Sequence, residues 1–395
     1  MHTTTLAQMG VTGLLVAMLP LSMVWISSDP HKYRKLVWVS VFLTFDLIMF
    51  GAFTRLSDSG LGCPDWPGCY GLANPMLAHV DIRAAEALMP TGPVTLVKAW
   101  IEMVHRYVAM AIGLLTIAMM VEAWRQWRKR KAAGQPQRTE TSPWLPTSVF
   151  LLICVQGAFG AWTVTMKLQP VIVSTHLLLG MTMLALLTWL ACRQEQALVP
   201  LRPPGPPSPP PVLRRLRWLG ALAGLLLLVQ IALGGWVSTN YATLACSEFP
   251  LCGGKLVPEM DFEHGFTLWR ALGKTAAGHY LPFPALTAIH WVHRSFALLV
   301  FLGIGYAAYH AWRQPALRKT ARWIAIVLAV QACSGIATIY LDFPLAIAVL
   351  HNGGAALLVL LLTVLNYRAR ILSELAQRRA TRGTATLSSP ARHHP

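Results

Sequence analysis

The sequence predicts an all-α polytopic membrane protein: two parallel-related four-helix bundles, eight core transmembrane helices in all, plus an extra N-terminal transmembrane helix. Three observations predict it. The 395 residues are 55% hydrophobic and 12% charged, too apolar for a soluble chain of this length. Apolar runs of membrane-crossing length recur along the chain. The second half also repeats, in order, landmarks of the first.

The first apolar run, Gln8 to Ile26, lacks a basic start and an A-x-A-like cleavage site, so it reads as a retained span rather than a signal peptide. The core spans follow at about 36–53, 103–121, 147–166, 171–191, 217–237, 285–309, 322–341 and 345–365, each near the roughly 20 residues that a helix needs to cross the hydrocarbon.

Charge orients these spans. The segments 28–35, 123–144, 193–217, 311–323 and 366–395 hold 24 of the 33 Lys and Arg residues, whereas the intervening loops 54–99, 167–170 and 238–284 hold 7. By the positive-inside rule the first set is cytoplasmic and the long loops face outward. The net charge of +17 therefore tracks topology, and nucleic-acid binding is the weaker reading of it. The chain divides into 1–35 (extra span and basic segment), 36–200 (N-terminal half), 201–216 (a stiff Pro-rich linker), 217–370 (C-terminal half) and 371–395 (basic tail).

Cys63 and Cys69 lie in the first outer loop and Cys246 and Cys252 in the second, while Cys154, Cys192 and Cys333 fall within spans. Loops in an oxidising compartment keep disulfides. Two short bridges, Cys63–Cys69 and Cys246–Cys252, are the simplest pairing, with cross-loop pairs left open.

An offset of 183 lays Gly51 on Gly234, Cys63 on Cys246, Pro67 on Pro250 and Cys69 on Cys252. Farther on the offset is 175: Gln156, Gly160 and Thr163 meet Gln331, Gly335 and Thr338, and His176 meets His351. An even number of spans separates equivalent points, so the halves have parallel topology.

Four of the 13 histidines fall at matched depth in duplicated spans: His105 and His176 in the first half, His293 and His351 in the second. A histidine inside a bilayer is costly without a bundle-facing partner. Paired imidazoles on facing helices are what a haem takes as its two axial ligands. Zinc or copper calls for more converging ligands than these spans offer.

The halves differ at one place. Ile101-Glu102-Met103-Val104-His105-Arg106 aligns with Ile289-His290-Trp291-Val292-His293-Arg294, so Glu102 replaces His290. Residues three apart share a helix face, which puts Glu102 beside whatever His105 ligates, where it suits a base or a stabiliser of positive charge. The alternative is a structural partner for Arg106. Arg106, Arg294 and Arg55 are candidate partners for haem propionates, with snorkelling to the interface as the alternative for the first two. Gly157, Gly160, Gly234, Gly235 and Gly335 allow either close helix packing or room for a flat macrocycle. Asp46, near the middle of its span, has no assigned role.

The run Thr54-Arg55-Leu56-Ser57-Asp58-Ser59-Gly60-Leu61-Gly62-Cys63-Pro64-Asp65-Trp66-Pro67, the Glu102-x-x-His105-Arg106 motif, His176, His293-Arg294 and His351 together resemble the haem A synthase family of cytochrome oxidase assembly, over roughly 36–370. The resemblance implies oxidation of the C8 methyl group of haem O to a formyl group by successive hydroxylations. It implies that His105 and His176 hold the substrate haem with Glu102 catalytic beside it, and that His293 and His351 hold a resident haem b that relays electrons. It further implies a bacterial inner membrane with the Cys-bearing loops on the periplasmic side, and haem O with its supplying synthase, in a complex, as partners. The electron donor, the oxygen source and the oligomeric state, a homo-oligomer included, stay open. So does the role of the loop disulfides.

Three other classes fit parts of the pattern. A two-haem bis-histidine electron-transfer cytochrome uses the same ligands, but it needs no acid beside only one haem. A disulfide-generating thiol oxidoreductase fits the outer cysteines, but its reactive pair is Cys-x-x-Cys and both pairs here are Cys-x5-Cys. A transporter of parallel repeats predicts no haem.

Overall fold

The computed structural model describes residues 2–135, 141–201 and 209–387. Eleven α-helices run through them: α1 His2–Ile26, α2 Lys32–Leu56, α3 His79–Leu88, α4 Leu96–Ala132, α5 Trp144–Thr165, α6 Pro170–Leu198, α7 Pro210–Thr239, α8 Phe262–Phe266, α9 Phe283–Trp312, α10 Arg318–Tyr340 and α11 Leu345–Leu387. Nine of them are long and apolar enough to cross a membrane, all but α3 and α8, and no strand occurs among the described residues. The protein is a polytopic all-α membrane protein, and the run from Gln8 to Ile26 is a span-length helix.

The helices outrun the apolar segments. α4 continues to Ala132 through Arg125, Arg128, Lys129, Arg130 and Lys131, and α11 continues through Arg368, Arg370 and Arg378 to Leu387, into the segment read as a basic tail. Hydropathy marks only the part of a helix that lies in hydrocarbon, whereas basic residues are good helix formers and suit the helix C-terminus. α7 begins at Pro210, inside the segment assigned to the linker, because a proline is favoured in the first turn, where its missing N–H has no partner to lose. Residues 202–208 of that linker and 388–395 of the tail lie outside the described residues.

Each half closes into a ring of four helices. α2 packs on α4, α4 on α5, α5 on α6 and α6 back on α2; α7, α9, α10 and α11 repeat the same cyclic order. The halves meet where α2 and α6 pack on α11 and α6 packs on α7. A shared apolar core runs through this seam, with Val41, Leu115, Leu184, Leu187, Ile304, Leu358 and Leu362 buried. α1 lies outside the two rings against α4, and Thr5 donates to the Gly71 carbonyl of the first long loop at 2.6 Å.

At the disulfide-bearing end, repeat-equivalent residues meet one another across the seam. Arg55 donates to the Ser238 carbonyl at 2.6 Å, its own counterpart at offset 183, and Tyr241 donates to its counterpart Asp58 at 2.7 Å. The Arg55 guanidinium also lies 4.4 Å from the Tyr241 ring centroid. Partial burial pushes the Tyr241 phenol up from its ordinary value, which keeps it a donor to Asp58. Asp58 and Tyr241 both adopt left-handed backbone, with φ of 51° and 54°, so the chain turns out of α2 and α7 in the same way.

The two long loops share one design. Cys63 is bridged to Cys69 and Cys246 to Cys252, the within-loop pairing. Cys69 and Leu72 exchange backbone hydrogen bonds of 2.7 and 3.0 Å, and Cys252 and Lys255 repeat the exchange at 2.9 and 3.2 Å.

Candidate haem-binding centre

Each of the four matched histidines sits within roughly three turns of the disulfide-side end of its helix. His105 projects from α4, His176 from α6, His293 from α9 and His351 from α11. His105 and His176 lie within electrostatic reach of each other, and so do His293 and His351. His105 and His176 thus belong to one ring, and His293 and His351 to the other.

The neighbouring helix meets every one of these rings with a glycine. A Cβ built on Gly51 of α2 would lie 3.0 Å from Cε1 of His105, and one on Gly160 of α5 would lie 3.2 Å from Cε1 of His176. In the second half the same distance is 3.0 Å from Gly234 to His293 and 3.1 Å from Gly335 to His351. These approaches are tighter than an ordinary van der Waals contact, so a side chain there would push the imidazole away from its place. Of the other glycines singled out in the sequence, Gly235 packs on Leu177 across the seam and Gly157 meets nothing.

A glutamine one turn before three of these glycines holds the backbone of the same histidine. Gln156 donates to the His176 carbonyl at 3.0 Å, Gln331 to that of His351 at 3.0 Å and Gln230 to that of His293 at 3.1 Å. Sequence reasoning noted Gln156 and Gln331 only as repeat markers and missed Gln230. The signal was present as Gln-x-x-x-Gly, which occurs on α5, α7 and α10. On α2 the glutamine is replaced by Leu47.

Glu102 is 4% exposed, and its counterpart His290 is equally buried. One Glu102 oxygen pairs with Arg106, and the other accepts the Cys63 amide N–H at 2.9 Å. The carboxylate therefore ties the first disulfide loop to the helix that carries His105. His290 instead lies against the Ala242 backbone and 6.4 Å from the Phe343 ring centroid.

The three arginines serve different ends. Arg106 is buried and donates, besides Glu102, to the carbonyls of Asp65, Pro67 and Gly68 at 3.1, 3.1 and 2.7 Å. It is a strut under the first loop, with both Nη groups committed to protein. Arg55 is committed across the seam. Arg294 donates to the Leu251 carbonyl at 3.2 Å, and its Nη1 is buried without a partner. Asp46 is exposed on α2.

The donor set suits a haem. No group of three or more His, Cys, Asp or Glu side chains able to hold a metal ion occurs among the described residues. The histidines come in twos, which leaves the remaining equatorial ligands to a macrocycle. The glycine faces allow close approach, and Arg294 retains a buried donor of the kind that a propionate takes.

A family described as COX15-CtaA, cytochrome oxidase assembly protein, matches residues 34–363. The chain belongs to this family. Among its relatives, this COX15-CtaA chain is 36% identical over 336 residues to the heme A synthase of Shewanella oneidensis, covering 84% of this chain and 96% of that protein. It is 29% identical over 346 residues to the heme A synthase of Maricaulis maris, covering 82% and 92%. The heme A synthase of Erythrobacter litoralis is 28% identical over 346 residues, covering 82% and 93%. The COX15-CtaA match reaches every helix of both rings, ending inside α11, and takes in all four histidines and both disulfide loops, whereas α1 precedes it.

Proposed function

We propose that the chain is a haem A synthase that oxidises the C8 methyl group of haem O to the formyl group of haem A by successive hydroxylations. The observation that carries this reading is the duplicated His–Gly cradle with a buried carboxylate in one copy only. A pair of equal electron-transfer sites has no use for that difference.

In this reading His105 and His176 hold the substrate haem O, and His293 and His351 hold a resident haem b. Bound there, haem b supplies one-electron redox chemistry to the first half. Glu102, one turn from His105, is placed to act at its carboxylate oxygens as a base, or to stabilise positive charge that develops beside it. Arg106 and the Cys63 N–H orient that carboxylate. Arg294 offers its free Nη1 to a propionate. The Arg55, Asp58, Ser238 and Tyr241 contacts keep the two halves in fixed register. The disulfide loops lie on the side opposite the Lys- and Arg-rich ends, which is the periplasmic side of a bacterial inner membrane by the positive-inside rule. Delivery of haem O by its own synthase, within a complex, belongs to the same proposal.

The test is incubation of the purified protein with haem O and reductant under air. Appearance of haem A supports the reading, and its complete absence in a protein that binds both haems overturns it. One observation favours a second reading: both oxygens of Glu102 are engaged by protein groups, as they are in a purely structural ion pair. A two-haem electron-transfer cytochrome would then oxidise and reduce its haems without converting haem O.

The glycine cradles carry a prediction of their own. Gly335→Leu forces its side chain into the His351 ring, so haem retention in the second half falls about ten- to a hundredfold, the range for disturbing the support of a metal ligand. Haem extraction and optical spectra of the purified variant measure it. Gly157→Leu, at an open position, leaves haem content unchanged.

A further inference from the structure

An imidazole binds iron through a nitrogen that carries a lone pair, so its proton must sit on the other nitrogen. A hydrogen bond to that other nitrogen fixes both the tautomer and the ring orientation. The two halves differ in whether they provide it.

In the second half, Ser334 Oγ lies 3.0 Å from the Gln331 carbonyl and 2.9 Å from Nδ1 of His351. A hydroxyl has one proton and two lone pairs. The carbonyl can only accept, so the hydroxyl proton goes to Gln331 and Oγ accepts from the Nδ1–H of His351. Nε2 is left with its lone pair. The Gln331 amide nitrogen, which can only donate, lies 3.3 Å from Nε2 and is consistent with that tautomer. One turn of α10 therefore holds the imidazole at its backbone carbonyl through Gln331, at Nδ1 through Ser334, and at its ring edge through Gly335. At His293 the Gln230 amide nitrogen, which can only donate, lies 3.2 Å from Nδ1, so that ring nitrogen is an acceptor and Gln230 does not do for His293 what Ser334 does for His351.

The first half keeps this frame but lacks the hydroxyl. Gln156 and Gly160 meet His176 as Gln331 and Gly335 meet His351, yet Phe159 stands at the position of Ser334. Nδ1 of His176 is buried without a partner. Nδ1 of the other first-half histidine, His105, is likewise buried without a partner. Neither first-half histidine therefore has an acceptor for an Nδ1–H, whereas Ser334 supplies one to His351.

We propose that Ser334 is a positioning residue that fixes His351 as a strong, oriented iron ligand and makes the second half the haem-retaining site. Phe159 at the equivalent place leaves His176 a looser ligand, suited to a haem that must leave as product. This inference rests on the two-haem reading above and adds to it the difference between a site that keeps its haem and one that exchanges it.

The test uses the full-length protein in detergent with both haems bound, comparing wild type, Ser334→Ala, Ser334→Thr and Phe159→Ser. Two quantities are read: the rate at which each haem passes to an excess of haem-scavenging apoglobin, and the midpoint potential of the resident haem. Ser334→Ala speeds loss of the resident haem about ten- to a hundredfold, in the range for outer-shell partners of metal ligands. It also raises the potential, because an unbonded imidazole donates less to ferric iron. Ser334→Thr, which keeps the hydroxyl, restores both values, a rescue that a packing defect does not show. Phe159→Ser slows loss of the first-half haem. An Ala variant that matches wild type in both rate and potential overturns the inference and leaves the two-haem reading standing. A wild-type protein that purifies folded and binds no haem in its second half overturns both.

Discussion

His351→Ala strips the second half of its haem while the first half goes on binding haem O. The ring of His351 is the meeting point of Gln331, Ser334 and Gly335 on α10, and no other described side chain in this half takes its place opposite His293. His290, one turn from His293 on the same helix, cannot bind from the opposite face. The variant is expected to lose the spectrum of the resident haem and, with it, the electron supply to the first half, so that haem O is bound and not converted. Imidazole added to the medium can fill the space left by the side chain and restores part of the haem. His310→Ala serves as control: its ring lies at the opposite end of α9, 4.5 Å from the Tyr306 ring centroid. A His351→Ala protein with an unchanged haem spectrum refutes the assignment of this residue.

The spans and the histidine pairs were legible in the sequence because each answers to a strong constraint. Hydrocarbon thickness sets the length of an apolar run, and the cost of a bilayer histidine makes four at matched depth stand out. Duplication marked the equivalent positions, since His176 and His351 recur at one offset beside the same Gln and Gly. Helix ends were less legible: outside hydrocarbon, Arg128 or Arg370 is as compatible with a helix as with a loop. The helices α3 and α8 inside the long loops left no hydropathy signal at all.

The support of the site was the least legible part. Gly51, Gly234 and Ser334 have the composition of ordinary membrane-helix packing, and only their position against an imidazole gives them a role. Arg106 shows the limit most clearly. Its partner Glu102, at i+4 spacing, could be read from the sequence, whereas its bonds to the carbonyls of Asp65, Pro67 and Gly68 depend on how the first loop folds back over α4. That folding commits to the loop an arginine that the sequence offered to a propionate, and it leaves Arg294, whose loop contact is a single carbonyl, with a donor to spare.

Glu102→Gln is expected to lower haem O conversion about 10²- to 10⁴-fold, the range for removing a positioned acid or base. The substitution is nearly isosteric. The carboxamide oxygen of the variant still accepts the Cys63 N–H, and Arg106 keeps its three loop carbonyls, so the first loop stays in place. What is lost is the charge, the capacity to take a proton and the oxygen that accepts from Arg106, whose guanidinium then rests on its loop carbonyls alone. Haem content and the resident haem spectrum therefore stay near wild type, and haem O accumulates in the first half unconverted. Glu102→Ala goes further, because it leaves the Cys63 amide and one face of a buried guanidinium without partners, which costs several kcal/mol for a broken buried pair. Its thermal midpoint falls, whereas that of the Gln variant falls less. The two substitutions separate the roles that the structure superimposes on one carboxylate. A purely structural Glu102 gives conversion that follows stability, high in Gln and low in Ala. A proton-handling Glu102 gives conversion lost in both while stability is lost mainly in Ala. Measuring haem A formation and thermal unfolding on the same preparations decides between them.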